Sequence, residues 1–115
     1  MLSSGYIDAY YHKAQSAREV LRKEYNDAFQ KVDVIAVPTT LSPAFRFGEK
    51  SDPVAMYIED IFTVTSNLTG MPAISIPMGL VNREDKKLPV GIHFTAPHQA
   101  EAVLFSIGTA VEKVQ

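Results

Sequence analysis

The chain has 115 residues, 46% of them hydrophobic and 21% charged, with a formal net charge of −2 and no cysteine. That length and apolar content fit one domain, or part of one, with a core of its own, and argue against disorder. The near-neutral balance gives no electrostatic reason for nucleic-acid or membrane-surface binding, and the lack of cysteine excludes disulfides, thiolate metal sites and a cysteine nucleophile.

Ser3 or Ser4 is placed to cap a helix, with Asp8 in or near its first turn, where a carboxylate suits the helix dipole. From Gly5 to about Phe29 the pattern is helical: Tyr10, Ala14, Ala17, Leu21, Tyr25 and Ala28 recur at spacings of three and four. At 1.5 Å per residue such a helix is roughly 35 Å long, enough to cross the face of a larger sheet. Met1 and Leu2 run almost directly into it, as a natural start would, or a chain cut from something longer. That N-terminus lacks the basic-then-apolar order of a signal peptide, and no apolar run reaches the roughly 18 residues of a membrane span; a cytoplasmic protein is the expectation.

Val32 to Val37 reads as a strand, and its unbroken apolar run from Val34 points to a parallel sheet covered on both faces. Thr39 to Ser51 reads as loop, with Phe45 and Phe47 either forming a short extended segment or pinning the loop to the core. Asp52-Pro53 is a helix start, a side-chain cap followed by proline at the first helical position. Val54, Tyr57, Ile58, Ile61, Thr65 and Leu68 then form a stripe, widened by Phe62 and Val64, that predicts a mostly buried helix, irregular toward its end. Gly70 stops it and Pro72 prevents it resuming. Ala73 to Ile76 and Val90 to Thr95 are strands joined by a solvated connection over Asn82–Lys87, and His98 to Val114 is a closing helix. Outer strands of such a sheet would leave unpaired edges, so it completes itself on a larger sheet or a partner.

Recognised catalytic patterns are missing from the sequence: it contains no GxGxxG or GxxxxGK phosphate loop and no GxSxG elbow. His12, His93 and His98 have no metal-ligand spacing and read as surface or strand-end residues, so no metal and no cofactor are expected. Ser3-Ser4-Gly5 is explained by helix capping. Asp60 is the residue that carries two readings. Either it faces water beside Glu59 while the stripe faces the core, or it points into a cleft at the strand ends and pairs with a cationic group of a ligand.

The segments SSGYIDAYYHKAQ, VDVIAVPTT, PAFRFGEKSDP, MYIEDIFTVTSNLTGMPAISIPMG and LPVGIH, in this order, resemble the C-terminal part of the amidase-signature family, and most of all its glutamine-dependent aminoacyl-tRNA amidotransferase branch. The resemblance covers nearly the whole chain but only the last portion of a family member. It implies an α/β architecture: residues 1–115 as a C-terminal segment of the mixed-sheet amidase-signature fold, about three strands covered by three helices and incomplete on its own. It also implies a parent enzyme that hydrolyses glutamine with a serine nucleophile, a second serine in a cis peptide and a lysine, all from a Gly/Ser-rich core upstream of the matched region. No residue here corresponds to them, so no catalytic residue is assigned and the chain alone is expected to be inactive. One substrate-binding position carries over: Asp60 takes the place of the acid that holds the α-ammonium of glutamine, while the arginine that clamps its carboxylate would lie upstream of Met1. The implied partners are the N-terminal amidase core or the other amidotransferase subunits, with self-dimerisation through apolar surface as another outcome. A catalytically silent interaction module and a piece of a general amidase remain open. Four departures stand out: Thr65 where the family commonly has proline, Ser66 where a small apolar residue is usual, Met78 where cysteine is frequent, and GIHFTAP in place of a GLQIIG-like run.

Overall fold

A computed structural model describes residues 4–114; the Ser3 cap lies outside them. The elements run α1 (Ser4–Phe29), β1 (Ile35–Pro38), α2 (Pro53–Glu59), α3 (Val64–Thr69), β2 (Ala73–Arg83), β3 (Lys86–Thr95) and α4 (Glu101–Glu112). The α/β class and the three strands stand as the sequence implied.

The pairing differs from the sequence expectation. The sheet order is β1-β3-β2, and both pairs are antiparallel. The unbroken apolar run in β1 does not reflect a parallel neighbour. It reflects a short outer strand whose Ile35 and Val37 are half-buried on the face shared with His93 and Thr95, while Ala36 and Pro38 are exposed. The connection between β2 and β3 also shrinks. Asn82 pairs with Lys87 and Arg83 with Lys86, leaving a two-residue turn in which Glu84 takes φ 53°. A bulge between Pro77 and Gly79 absorbs the proline, and Gly79 bends there with φ 116°.

Because side chains alternate along a strand, β3 offers two unlike faces. Ile92 and Phe94 point the same way as their partners Ile76 and Ile74, and this face receives α4 through Leu104, Ile107 and Val111. Gly108 permits the approach: a Cβ there would lie 2.6 Å from Ile76 Cδ1. The opposite face carries His93 and Thr95 and receives α3, whose Ser66 bonds both. Beyond α3 lies α1, tied by Tyr25 Oη donating to Thr65 Oγ1 and Arg22 Nε donating to the Thr69 carbonyl. The long helix therefore packs mainly on α3, one layer out from the sheet, with Tyr10 and Tyr11 exposed.

Three helices were expected and the described residues form four, because the stripe from Val54 to Leu68 breaks. Asp52 accepts from the Val54 and Ala55 amides and starts α2 as anticipated, but the chain turns at residues 60–63 before α3 begins. The expected burial also fails: Tyr57 is 78% exposed, and Ile58 and Ile61 are exposed too. Gly70, at φ 72°, caps α3 with its amide on the Ser66 carbonyl, as the Gly-x-Pro sequence implied.

The Gly108 contact generates a test. Gly108→Val forces branched carbon into space held by Ile76 and is expected to destabilise the chain by about 1–3 kcal/mol, read as a lower urea midpoint.

Candidate functional site

β1 ends at Pro38, and the Thr39 amide donates to the Gly91 carbonyl at 3.0 Å, so the chain leaves the sheet at a fixed point. Gly91 is needed there, since a Cβ would come 2.7 Å from Thr39 Oγ1. The following loop runs over α2 and closes a cleft of about 340 Å³ lined by Thr40, Ser42, Phe45, Met56, Glu59 and Asp60. A larger apolar groove of about 430 Å³, with Leu41, Met78 and Val90 in its wall, shares Thr40, Ser42 and Pro43 of the same loop.

Asp60 stands at the C-terminal end of α2 with its backbone fixed. Its amide donates to the Ile58 and Tyr57 carbonyls, and its own carbonyl accepts from the Thr63 and Val64 amides. Its side chain is exposed on the cleft wall, and no donor among the described residues reaches its carboxylate. Asp60 thus faces water and lines a cleft between α2 and the loop, away from the strand ends.

Glu59, expected beside Asp60 in solvent, is instead 6% exposed. Lys50 Nζ bonds its Oε1, Ser42 Oγ donates to the same oxygen at 2.9 Å, and the Ser42 amide donates to Oε2 at 3.2 Å. The Lys50 ammonium, with Ser42 assisting, holds the Glu59 carboxyl below the usual carboxylate range against the opposing effect of burial. Lys50 also sits 5.5 Å from the Phe45 ring centroid. Sequence reasoning missed this group because hydrophobic periodicity assigned the faces of α2, and the helix is too short for that average to decide them.

The second polar cluster was also missed. His93 is 6% exposed, with Nδ1 2.9 Å from Ser75 Oγ and Nε2 3.0 Å from Ser66 Oγ. Ser66 in turn lies 3.3 Å from Thr95 Oγ1. Burial pushes the His93 pKa below its usual value, so the ring is neutral, and no charged group contributes to the shift. It is a buried strand residue and not the surface or strand-end histidine expected, because the ring stands between the sheet and α3. His12 and His98 are exposed. Among the described residues no group of three His, Cys, Asp or Glu converges as a metal site would require. No described helix is long and apolar enough to cross a membrane.

The family profile described as Amidase matches residues 1–105. The chain belongs to the amidase family. Among relatives of this amidase chain is the A subunit of the glutamyl-tRNA(Gln) amidotransferase from Koribacter versatilis (strain Ellin345), 50% identical over 112 residues, covering 96% of this chain and 23% of the relative. The protein of the same name from Cellvibrio japonicus (strain Ueda107) is 54% identical over 106 residues, covering 91% of this chain and 21% of the relative. The crystal structure of the glutamyl-tRNA(Gln) amidotransferase A subunit from Thermotoga maritima superposes with a TM-score of 0.86 at 39% identity, over 96% of this chain and 24% of that one. This amidase chain thus spans about a quarter of the length of the relatives it matches.

The His93 cluster sets a pH dependence. The unfolded chain takes up a proton near the ordinary histidine value of 6.5, which the folded chain resists. Stability is therefore full above that value, falls as pH drops below it, and levels off below the lowered folded pKa. Chemical unfolding between pH 7.5 and 5.5 should show this loss, and His93→Gln, which never charges, should flatten it.

Proposed function

We propose that this chain is the C-terminal segment of the A subunit of a glutamine-dependent aminoacyl-tRNA amidotransferase, working in the cytoplasm. In the complete enzyme it forms one flank of the sheet and one wall of the glutamine pocket. Glutamine is hydrolysed there, and the ammonia passes to a partner protein that amidates misacylated tRNA. The observation that carries this reading is the match of 96% of the chain, at 39% identity and a TM-score of 0.86, to a protein bearing that name.

Two features of the chain support it. The radius of gyration is 17.5 Å within extents of 52 × 40 × 18 Å. A self-contained domain of this length would have a radius near 13 Å, so the molecule is a slab and not a closed globule. The slab also leaves Tyr57, Ile61, Leu80 and Phe105 exposed. A missing amidase core accounts for both features. Among the described residues β1 and β2 are the outer strands of the sheet, which also suits the alternative of a catalytically silent module that binds a complementary chain.

In this reading Asp60 receives the α-ammonium of glutamine. Its carboxylate has no donor among the described residues, faces a cleft and hangs on a backbone fixed by four hydrogen bonds, so it meets a cation without first breaking a bond to any of them. The chain offers no counterpart of the serine, second serine and lysine that cleave the amide in the family it resembles.

Four outcomes follow. The purified chain alone should release no ammonia from glutamine above background, and light scattering should show self-association through its exposed apolar faces. Co-expression with an N-terminal amidase core should restore ammonia release; persistent silence of a stable complex would favour the interaction module. In the restored enzyme Asp60→Asn should raise KM for glutamine about tenfold, the factor set by losing a charge-assisted hydrogen bond of about 1.5 kcal/mol. An unchanged KM would refute the role.

A further inference from the structure

The cleft at Asp60 contains a second carboxylate, and how that one is neutralised decides what the first can bind. Glu59 and Asp60 are chain neighbours in the wall of one cavity of about 340 Å³. Two free carboxylates lining one cavity would attract cations without discrimination and repel an anionic group on the same ligand. Glu59 is instead saturated: Lys50 bonds Oε1, and Ser42 donates its hydroxyl to Oε1 and its amide to Oε2. Asp60 has no such donor among the described residues. The same lysine lies 5.5 Å from the ring of Phe45, another lining residue, so one ammonium ties α2 to the loop that roofs the cleft.

We propose that Lys50 and Glu59 are specificity-determining positioning residues that cancel one of the two cleft charges and so leave Asp60 as a single-charge receptor for one ligand ammonium. The inference rests on the glutamine reading of Asp60 and names residues that reading does not. Charge balance, and not the presence of either residue, is what matters. Glu59→Gln keeps an acceptor for Ser42 but releases the Lys50 ammonium, which then competes with the ligand for Asp60. Lys50→Met leaves Glu59 as a second, uncancelled carboxylate. The double variant has neither charge and returns the cleft to one negative group.

The test uses the complete amidase chain carrying this segment, with its partner subunits, and steady-state glutamine hydrolysis. Each single variant should raise KM for glutamine about fivefold or more, with a smaller fall in kcat. Glu59→Gln/Lys50→Met together should bring KM back to within about twofold of the parent, and because a buried pair left half-made would also be relieved in the double variant, the urea midpoints must not follow the same order as KM. An unchanged KM in either single variant, or a double variant as impaired as the worse single one, overturns the inference. Asp60→Asn in the same assay separates the two ideas. If it raises KM while the pair variants do not, only the charge-balance role falls. If it leaves KM unchanged, the glutamine reading falls and this inference with it.

Discussion

Strand β3 is bound along both edges, by β1 and β2, and covered on both faces, by α4 and by α3. The alternation of its side chains forces a division of labour. Ile92 and Phe94 join Ile76, Ala96 and Leu104 in the apolar core, where contact area and close packing do the stabilising. His93 and Thr95, one residue out of phase, must sit on the other face and must find hydrogen-bond partners there. Ser66 and Ser75 supply them. A slip of one residue in the register would place His93 against Leu104 and Phe94 against Ser66, so the polar face fixes the pairing as firmly as the apolar one.

The same strand positions the cleft. Gly91 in β3 gives Thr39 room to pass, and the Gly91 carbonyl takes its amide. From that point Ser42 meets Glu59, and Lys50 closes back onto Glu59 just before Asp52 starts α2. Asp60 falls where α2 ends and the chain turns, so its backbone bonds are made within the turn while its carboxylate is left over. Farther along, the exposed pair Arg46–Glu84 and the half-buried pair Arg83–Glu49 tie the loop to the tip of the β2–β3 hairpin, although an exposed pair contributes little individually.

What surrounds these elements is thin. Among the described residues of α1, Gln15, Arg18, Leu21, Arg22, Tyr25, Ala28 and Phe29 reach partially covered positions, and Tyr10 and Tyr11 face outward. The stripe on α2 and the outer side of α4 do the same. Helices with that much apolar character usually owe their order to packing on both sides, and here one side is open. The proposed amidase core would supply it.

Helices α1 and α4, the central residues of the three strands, the Asp52-Pro53 start, the Gly70 stop and the family were legible in the sequence, because each rests on local chemistry or on motifs readable in order, whereas the lengthening of β2 and β3 into a tight hairpin was not. The sequence also flagged Ser66 and the GIHFTAP run as departures from the family pattern. It could not reveal that Ser66 and His93 are two halves of one contact 27 residues apart in the chain. Strand direction, the break at residues 60–63, the exposure of the α2 stripe and the burial of Glu59 were decided only by tertiary structure. The physical reason is common to all four. Periodicity reports which side of an element is apolar, but burial and pairing depend on what arrives from elsewhere in the chain. Here a loop carrying Ser42 and Lys50 covers an acid, while nothing in the described residues covers the neighbouring isoleucines.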